Sequence, residues 1–260
     1  MKNKKELGQH WLRDRAILTS IAECAMDGVS DKDATVLEIG PGQGTLTSVL
    51  LKHFGRVVAV EYDEDLARKL PGQFPGKDLE AVNEDFLLFD LGRLPEGYMV
   101  VANVPYYITG KIVQKLMEAE NRPRRVVLLV QREVAERLAA SEGDLSILGI
   151  SVQVYAEVSL GEVVRKEAFV PPPKVDSQVV VFEMREQPLV TKENEKDFFR
   201  LVKMGFIAPR KKLAGNLAAG LHVSKEEIVT ILESLGIEEG ARAEALAIGD
   251  WERLRAALKK

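Results

Sequence analysis

The sequence predicts a doubly wound α/β fold, a mostly parallel sheet with flanking helices, followed by a small all-helical domain. Three observations predict it. From Thr35 onward, short β-branched runs alternate with longer helical patterns, as βα units of a parallel sheet do. Several runs, such as VVLLV over 126–130, are apolar throughout, which suits strands covered on both faces. Past Pro188 the strand signals stop and only helical periodicity remains.

Taken in order, a helix is expected over 14–28 and strands over 35–39, 56–61, 79–82, 98–102 and 125–130. Helices are expected between them over 45–54, 64–70, 108–120 and 132–140. After Ser146 the runs ILGISVQVYAEVSL and SQVVVFEM predict two long strands that close one edge of the sheet. They are joined by VPPPKVDS, where prolines disfavour helix. In the tail, EKDFFRLVKMGF, RKKLAGNLAAGL, SKEEIVTILESLG and DWERLRAALKK predict helices. Ser224 with Glu227 three residues on forms a capping box, and Gly236 is a helix stop. The expected domains are therefore 1–187, carrying a ligand site, and 188–260, helical.

Composition excludes several classes of protein. With 260 residues, 40 acidic and 36 basic, the net charge is −4, so the chain is not basic overall. A 46% hydrophobic content beside 29% charged residues is that of a globular protein, neither disordered nor fibrous. Cys24 has no second cysteine to pair with, which excludes an intramolecular disulfide and a multi-cysteine zinc site and suits a reducing cytoplasm. His10, His53 and His222 are dispersed, outside any ligand-spaced motif, and read as solvated or helix-terminal, so no metal is expected. The basic start is not followed by an apolar stretch of signal length, and no run reaches a membrane span. A cytoplasmic protein with no membrane partner, and a monomer, is expected.

Directly after the first strand of the βα series stands Glu38-Ile39-Gly40-Pro41-Gly42-Gln43-Gly44-Thr45. Glycines in a strand-to-helix turn permit close ligand approach. Thr45 stands where the dinucleotide fingerprint wants its third glycine, which weakens a nicotinamide reading. The next strand ends in Glu61, 21 residues after Gly40, where a carboxylate can accept from two ribose hydroxyls. Asp85, after the following strand, can receive an adenine amino group. Each alone is equally a turn or a helix cap; at successive strand ends they form a set. Adenine plus ribose, without a pyrophosphate-type loop, points to S-adenosylmethionine.

After the strand at 98–102 comes Asn103-Val104-Pro105-Tyr106. An amino group conjugated to a purine is a poor nucleophile, because its lone pair is delocalised into the ring. Acceptors on its two hydrogens hold it so that the lone pair faces an incoming methyl. The Asn103 side-chain oxygen and the Val104 carbonyl can be those acceptors, Pro105 stiffens the turn, and Tyr106 offers a stacking face for an extruded base. Catalysis by alignment and electrostatics then needs no strong base.

With these residues in view the sequence resembles the ribosomal RNA adenine dimethyltransferases, both the small-subunit enzymes and the macrolide-resistance enzymes. The resemblance runs through Gly8-Gln9-His10-Trp11-Leu12, with Trp11 where phenylalanine is usual, then Glu38 to Gly42, Glu61-Tyr62-Asp63, Asp85 and Asn103 to Tyr106. It continues through Phe169-Val170-Pro171-Pro172-Pro173-Lys174-Val175-Asp176-Ser177, Arg210-Lys211-Lys212-Leu213 and Arg242-Ala243-Glu244. It implies a Rossmann-like class I methyltransferase fold. It also implies donor binding by His10, Leu12, Gly40, Gly42, Glu61, Asp85 and Asn103, and a base sandwich that includes Phe169. The implied reaction is dimethylation of adenine N6 in 16S ribosomal RNA or a small-subunit precursor. A 23S-type resistance enzyme and a non-catalytic assembly factor on the same fold are the alternatives.

RNA contact needs local rather than total positive charge. Residues 1–15, with Lys4 and Lys5, carry a net +3, and residues 196–216, with Arg210, Lys211 and Lys212, carry a net +5. Both coincide with the family's motifs and are expected to bind RNA. A third cluster, Arg122, Arg124 and Arg125, reads as a solvated face.

Overall fold

A computed structural model describes residues 10–27 and 34–258; Lys4, Lys5, Gly8 and Gln9 lie outside the described residues. The chain divides into two compact units, residues 1–136 with 157–184, and residues 137–156 with 185–260.

The first unit is built on strands. A short strand β1 (Trp11–Leu12) is followed by β2 (Thr35–Ile39), β3 (Arg56–Glu61), β4 (Leu79–Asn83), β5 (Met99–Asn103) and β6 (Arg125–Gln131). Then come β7 (Ala156–Val164), β8 (Phe169–Val170) and β9 (Ser177–Met184). Seven of these form one sheet in the order β4-β3-β2-β5-β6-β9-β7, while β1 pairs antiparallel with β8 alone. The pairings from β4 through β6 are parallel, and β9 runs antiparallel to β6. The expected closure of one sheet edge by two late strands is what β9 and β7 supply.

Strand β2 lies between β3 and β5. The chain winds outward to one side of β2 and then returns to build the other. That reversal leaves a crevice at the carboxyl ends of β2 and β5, where ligands of such sheets bind.

Helices α1 (Arg15–Met26), α2 (Thr47–His53), α3 (Glu64–Lys69), α4 (Thr109–Glu118) and α5 (Arg132–Leu138) alternate with the strands. Helix α1 begins because Asp14 accepts hydrogen bonds from the amides of Ala16 (2.9 Å) and Ile17 (3.3 Å). Its apolar face, Leu18, Ile21, Ala22 and Ala25, is buried in the core with Val36, Met99, Val127 and Val179. At its other end Arg125 donates to the carbonyls of Cys24 (3.0 Å) and Asp27 and pairs with Glu183. Arg122 does the same for α4, donating to the Met117 carbonyl at 2.7 Å. Two of the three arginines in the third basic cluster thus close the ends of helices.

The second unit holds α6 (Ile147–Gln153), α7 (Lys192–Gly205), α8 (Leu213–Leu221), α9 (Lys225–Ser234) and α10 (Ile248–Leu258). Here the structure corrects the strand expected over 147–160, because its first half is α6. Ser146 starts that helix by accepting from the Gly149 amide (3.1 Å), and Gly149 lets the turn lie against the Arg137 carbonyl, which a Cβ would meet at 2.8 Å. The period-2 pattern is real, but a cap and a close approach override it. The tail helices stand where periodicity puts them, with Ser224 capping α9 through the Glu227 amide (3.1 Å). Gly236, at φ +74°, ends α9 as the Ile237 amide returns to the Leu232 carbonyl (2.9 Å). Arg210, Lys211 and Lys212 precede α8 rather than lying in it.

The buried Asn216 side chain holds the loop between α7 and α8, donating to the carbonyls of Gly205 (2.6 Å) and Ala208 (3.1 Å). Replacing Asn216 by alanine removes both of these bonds, the Ala208 carbonyl keeping the Lys211 amide as a donor at 2.8 Å, and is expected to lower stability by about 1–3 kcal/mol, read from urea unfolding midpoints. An unchanged midpoint would show that the loop is held by other contacts.

Candidate active site

The carboxyl ends of four adjacent parallel strands converge on one cleft of about 370 Å³ in the first unit. Strand β2 leads into the glycine turn, β3 ends in Glu61, β4 leads to Asp85, and β5 ends in Asn103. His10, Trp11 and Leu12 also line it, as do Pro105, Tyr106 and Tyr107.

The glycine turn is shaped by requirements a side chain could not meet. Gly40 and Gly42 are left-handed, at φ +67° and +57°. A Cβ on Gly42 would lie 2.0 Å from the Trp11 ring, so the indole rests directly on the turn's backbone. The Gly42 amide donates to Glu61 Oε2 at 2.9 Å, and the Asp63 amide donates to Oε1 at 2.8 Å. Glu61 is 7% exposed, and burial pushes its carboxyl up against the pull of those amides. Each carboxylate oxygen still has a lone pair to offer a ligand hydroxyl.

Asp85 uses Oδ1 to accept from the Leu87 amide at 2.9 Å, which fixes the side chain at the cleft. Asn103 is oriented from the opposite side. Its Nδ2 donates to the His10 carbonyl at 3.3 Å, and because that carbonyl can only accept, Oδ1 is the end left as an acceptor. Pro105's carbonyl is taken by the Ile108 amide and the Thr109 hydroxyl, both at 3.3 Å. Among the described residues the Val104 carbonyl accepts no hydrogen bond, while Val104 itself is buried. The Tyr106 hydroxyl bonds Ser177 Oγ at 2.6 Å, and its ring stacks on His10 at 5.9 Å between centroids. His10 Nδ1 lies 2.8 Å from the Pro171 carbonyl.

The cleft thus brings together His10, Leu12, Gly40, Gly42, Glu61, Asp85, Asn103, Val104, Pro105 and Tyr106. Phe169 is not among its lining residues: it is 2% exposed, paired with Leu12 across β1 and β8, in the core. Arg210, Lys211 and Lys212 are exposed on the second unit, with Lys212 paired to Glu239 at 3.5 Å. Two residues, one lining the cleft and one bonded to a lining residue, carry roles that sequence reasoning did not assign. Ser177 ties down Tyr106 from 71 residues away, which no local signal shows. Glu38 was visible as the single charge in the run TVLEI.

Glu38 is 1% exposed and has the Thr47 hydroxyl as its side-chain donor, at 2.6 Å. Burial, with the Glu61 carboxylate nearby, pushes its carboxyl up to about 8. The folded protein therefore holds a proton that the unfolded chain releases above about 4.5, so this group makes stability fall as pH rises from about 4.5 to 8. Glu38→Gln keeps an acceptor for Thr47 and never ionises. Its stability relative to the parent, from urea unfolding, is expected to rise between pH 5 and pH 8.5 by an order of a few kcal/mol. A difference that does not vary with pH would overturn the assignment.

A family model described as ribosomal RNA adenine dimethylase matches residues 1–260. A protein named ribosomal RNA small subunit methyltransferase A from Dehalococcoides mccartyi (strain CBDB1) is 39% identical over 98% of this chain and 88% of its own length. Its namesake from Bacillus pumilus (strain SAFR-032) is 40% identical over 99% of this chain and 91% of its own. Among solved structures, the 23S rRNA methyltransferase ErmE superposes with a TM-score of 0.78 at 29% identity, over 96% of this chain and all of that one. A dimethyladenosine transferase from Plasmodium falciparum gives 0.80 at 26% identity, over 94% and 96% of the two chains. The likeness extends through both units to both ends of the sequence, and the chain belongs to the ribosomal RNA adenine dimethylase family.

Proposed function

We propose that the protein is an S-adenosylmethionine-dependent enzyme that dimethylates the N6 amino group of adenines in small-subunit (16S) ribosomal RNA, during assembly of that subunit. The observation that carries the donor class is the charge of the cleft. Its described lining residues include the carboxyls of Glu61 and Asp85 and no lysine or arginine, while Glu38, also in the lining, holds its proton at neutral pH. A pyrophosphate would be repelled there, whereas an adenosyl ligand bearing positive charge is favoured. The curated relatives, at 39–40% identity, are named for the small subunit, which supports that branch over the 23S alternative.

The residues present suit this donor. Glu61 would accept from its ribose hydroxyls and Asp85 from its adenine amino group, while Gly40 gives it room beside the backbone, Gly42 lies in the same turn under Trp11, and His10 and Leu12 close the cleft. When bound, the donor supplies a methyl group on positively charged sulfur. Asn103 Oδ1 and the Val104 carbonyl accept the hydrogens of the target amino group and turn its lone pair toward that methyl. Tyr106 stacks on the extruded base. After transfer the nitrogen is an acidic ammonium that sheds its proton to water, so the site needs alignment rather than a strong base. Phe169 as a second aromatic on the base rests on resemblance alone. Arg210 and Lys211 would bind RNA phosphates, and Lys4 and Lys5 are proposed to do the same. No helix among the described residues is long and apolar enough to cross a membrane, and we place the protein in the cytoplasm as a monomer.

Labelled methyl transfer onto unmethylated small and large subunits, with mapping of the modified fragment, tests the function; label in the large subunit alone would overturn it. Asn103→Ala is expected to lose methyl transfer by at least about a hundredfold, the scale of losing one positioned polar group at a reacting centre. Calorimetry should show donor affinity much less affected, and a fully active variant would refute the acceptor role. Exchanging Arg210 and Lys211 for glutamine should weaken RNA binding and lower the log-log salt slope by about 1–2. An unaltered slope would leave the pair a solvated face.

A further inference from the structure

Beside Tyr106, which is pinned, stands an aromatic that is not. Tyr107 is 64% exposed and lines the cleft, and no ring contact or hydrogen bond holds its side chain among the described residues. Four residues on, in the first turn of α4, Lys111 is exposed and lines an adjoining groove. Leu87 lines both cleft and groove, so the two adjoin. Tyr107 itself belongs to the short 3-10 turn, Tyr106–Ile108, that leads into α4. Between them Gly110 leaves the surface clear, with no atom within 4 Å of where its Cβ would be.

The other charges of the groove limit where an anion can sit. Lys115 is committed, with Nζ donating to the Leu87 carbonyl at 3.0 Å and lying 5.7 Å over the Phe86 ring. Asp90, Glu118 and Glu120 make the rest of the groove acidic. Lys111 is the groove cation without a partner among the described residues, next to the exposed ring.

We propose that Tyr107 and Lys111 together hold the nucleotide adjoining the target adenosine, its base stacked on the Tyr107 ring and its phosphate paired with the Lys111 ammonium. The inference rests on the reading of the cleft as an RNA methylation site. A base extruded from RNA leaves its neighbour unstacked, and an exposed aromatic beside a cation is the surface that receives a base and its phosphate whatever the base is. Tyr107 is in this sense a positioning residue: it sets how the strand enters the cleft and does not touch the reacting nitrogen.

The experiment measures methyl transfer to small-subunit RNA, donor affinity by calorimetry, and the salt dependence of RNA binding. Tyr107→Ala is expected to raise the KM for RNA about tenfold with donor affinity unchanged, while Tyr107→Phe and Tyr107→Trp stay within about twofold of the parent. Lys111→Gln should lower the log-log salt slope by about one. An unchanged KM in Tyr107→Ala, a Phe variant as impaired as the Ala variant, a loss of donor affinity, or an unchanged salt slope would each overturn the proposal. Failure of the parent protein to methylate RNA at all would instead overturn the function on which it rests.

Discussion

The Glu61 carboxylate is the tie on which the site depends. One oxygen holds the Gly42 amide and the other the Asp63 amide, so a single buried side chain joins the glycine turn after β2 to the first residues beyond β3. The turn is left-handed at Gly40 and Gly42, and this carboxylate and the Trp11 ring above it brace it together with the Gly40 amide on the Val60 carbonyl (2.9 Å) and the Gly44 amide on the Pro41 carbonyl (2.9 Å). Desolvation of the Glu61 carboxylate opposes folding, and the two amide bonds counter it only in part. The same carboxyl group also lines the cleft.

The described start of the chain works on the other wall. His10 contributes its carbonyl to Asn103 and its ring to Tyr106, Trp11 covers Gly42, and Leu12 pairs with Phe169. Three consecutive residues therefore brace the glycine turn and the Asn103–Tyr106 segment, two walls of the same cleft. The Asn103 amide is an acceptor toward the cleft because its nitrogen is engaged by main chain 93 residues away.

The fold was readable wherever hydrophobic period and turn chemistry agreed. Strands 35–39 and 56–61 coincide with β2 and β3 to the residue, because β-branched runs there are bounded by glycine and acidic turns. The stretch 147–153 was not readable, since a helix cap at Ser146 and the closeness of Gly149 to Arg137 are three-dimensional facts laid over a strand-like pattern. The same holds in the site. Gly40, Glu61, Asp85 and Asn103 lie at strand ends that the βα alternation already orders, so their convergence follows from topology. The clamp of Ser177 on Tyr106 and the rest of Trp11 on Gly42 depend on contacts distant in sequence. The third arginine cluster shows the opposite error of pattern reading: charge adjacent in sequence is spent separately, on the ends of α1 and α4.

The two-point hold on Tyr106 has a thermodynamic consequence. With its hydroxyl on Ser177 and its ring against His10, the side chain has surrendered its rotameric freedom at folding rather than at association. Freezing a mobile side chain on binding costs about 0.5–1.5 kcal/mol. A base that enters this cleft meets a wall already in place, and that entropy is not subtracted from its affinity.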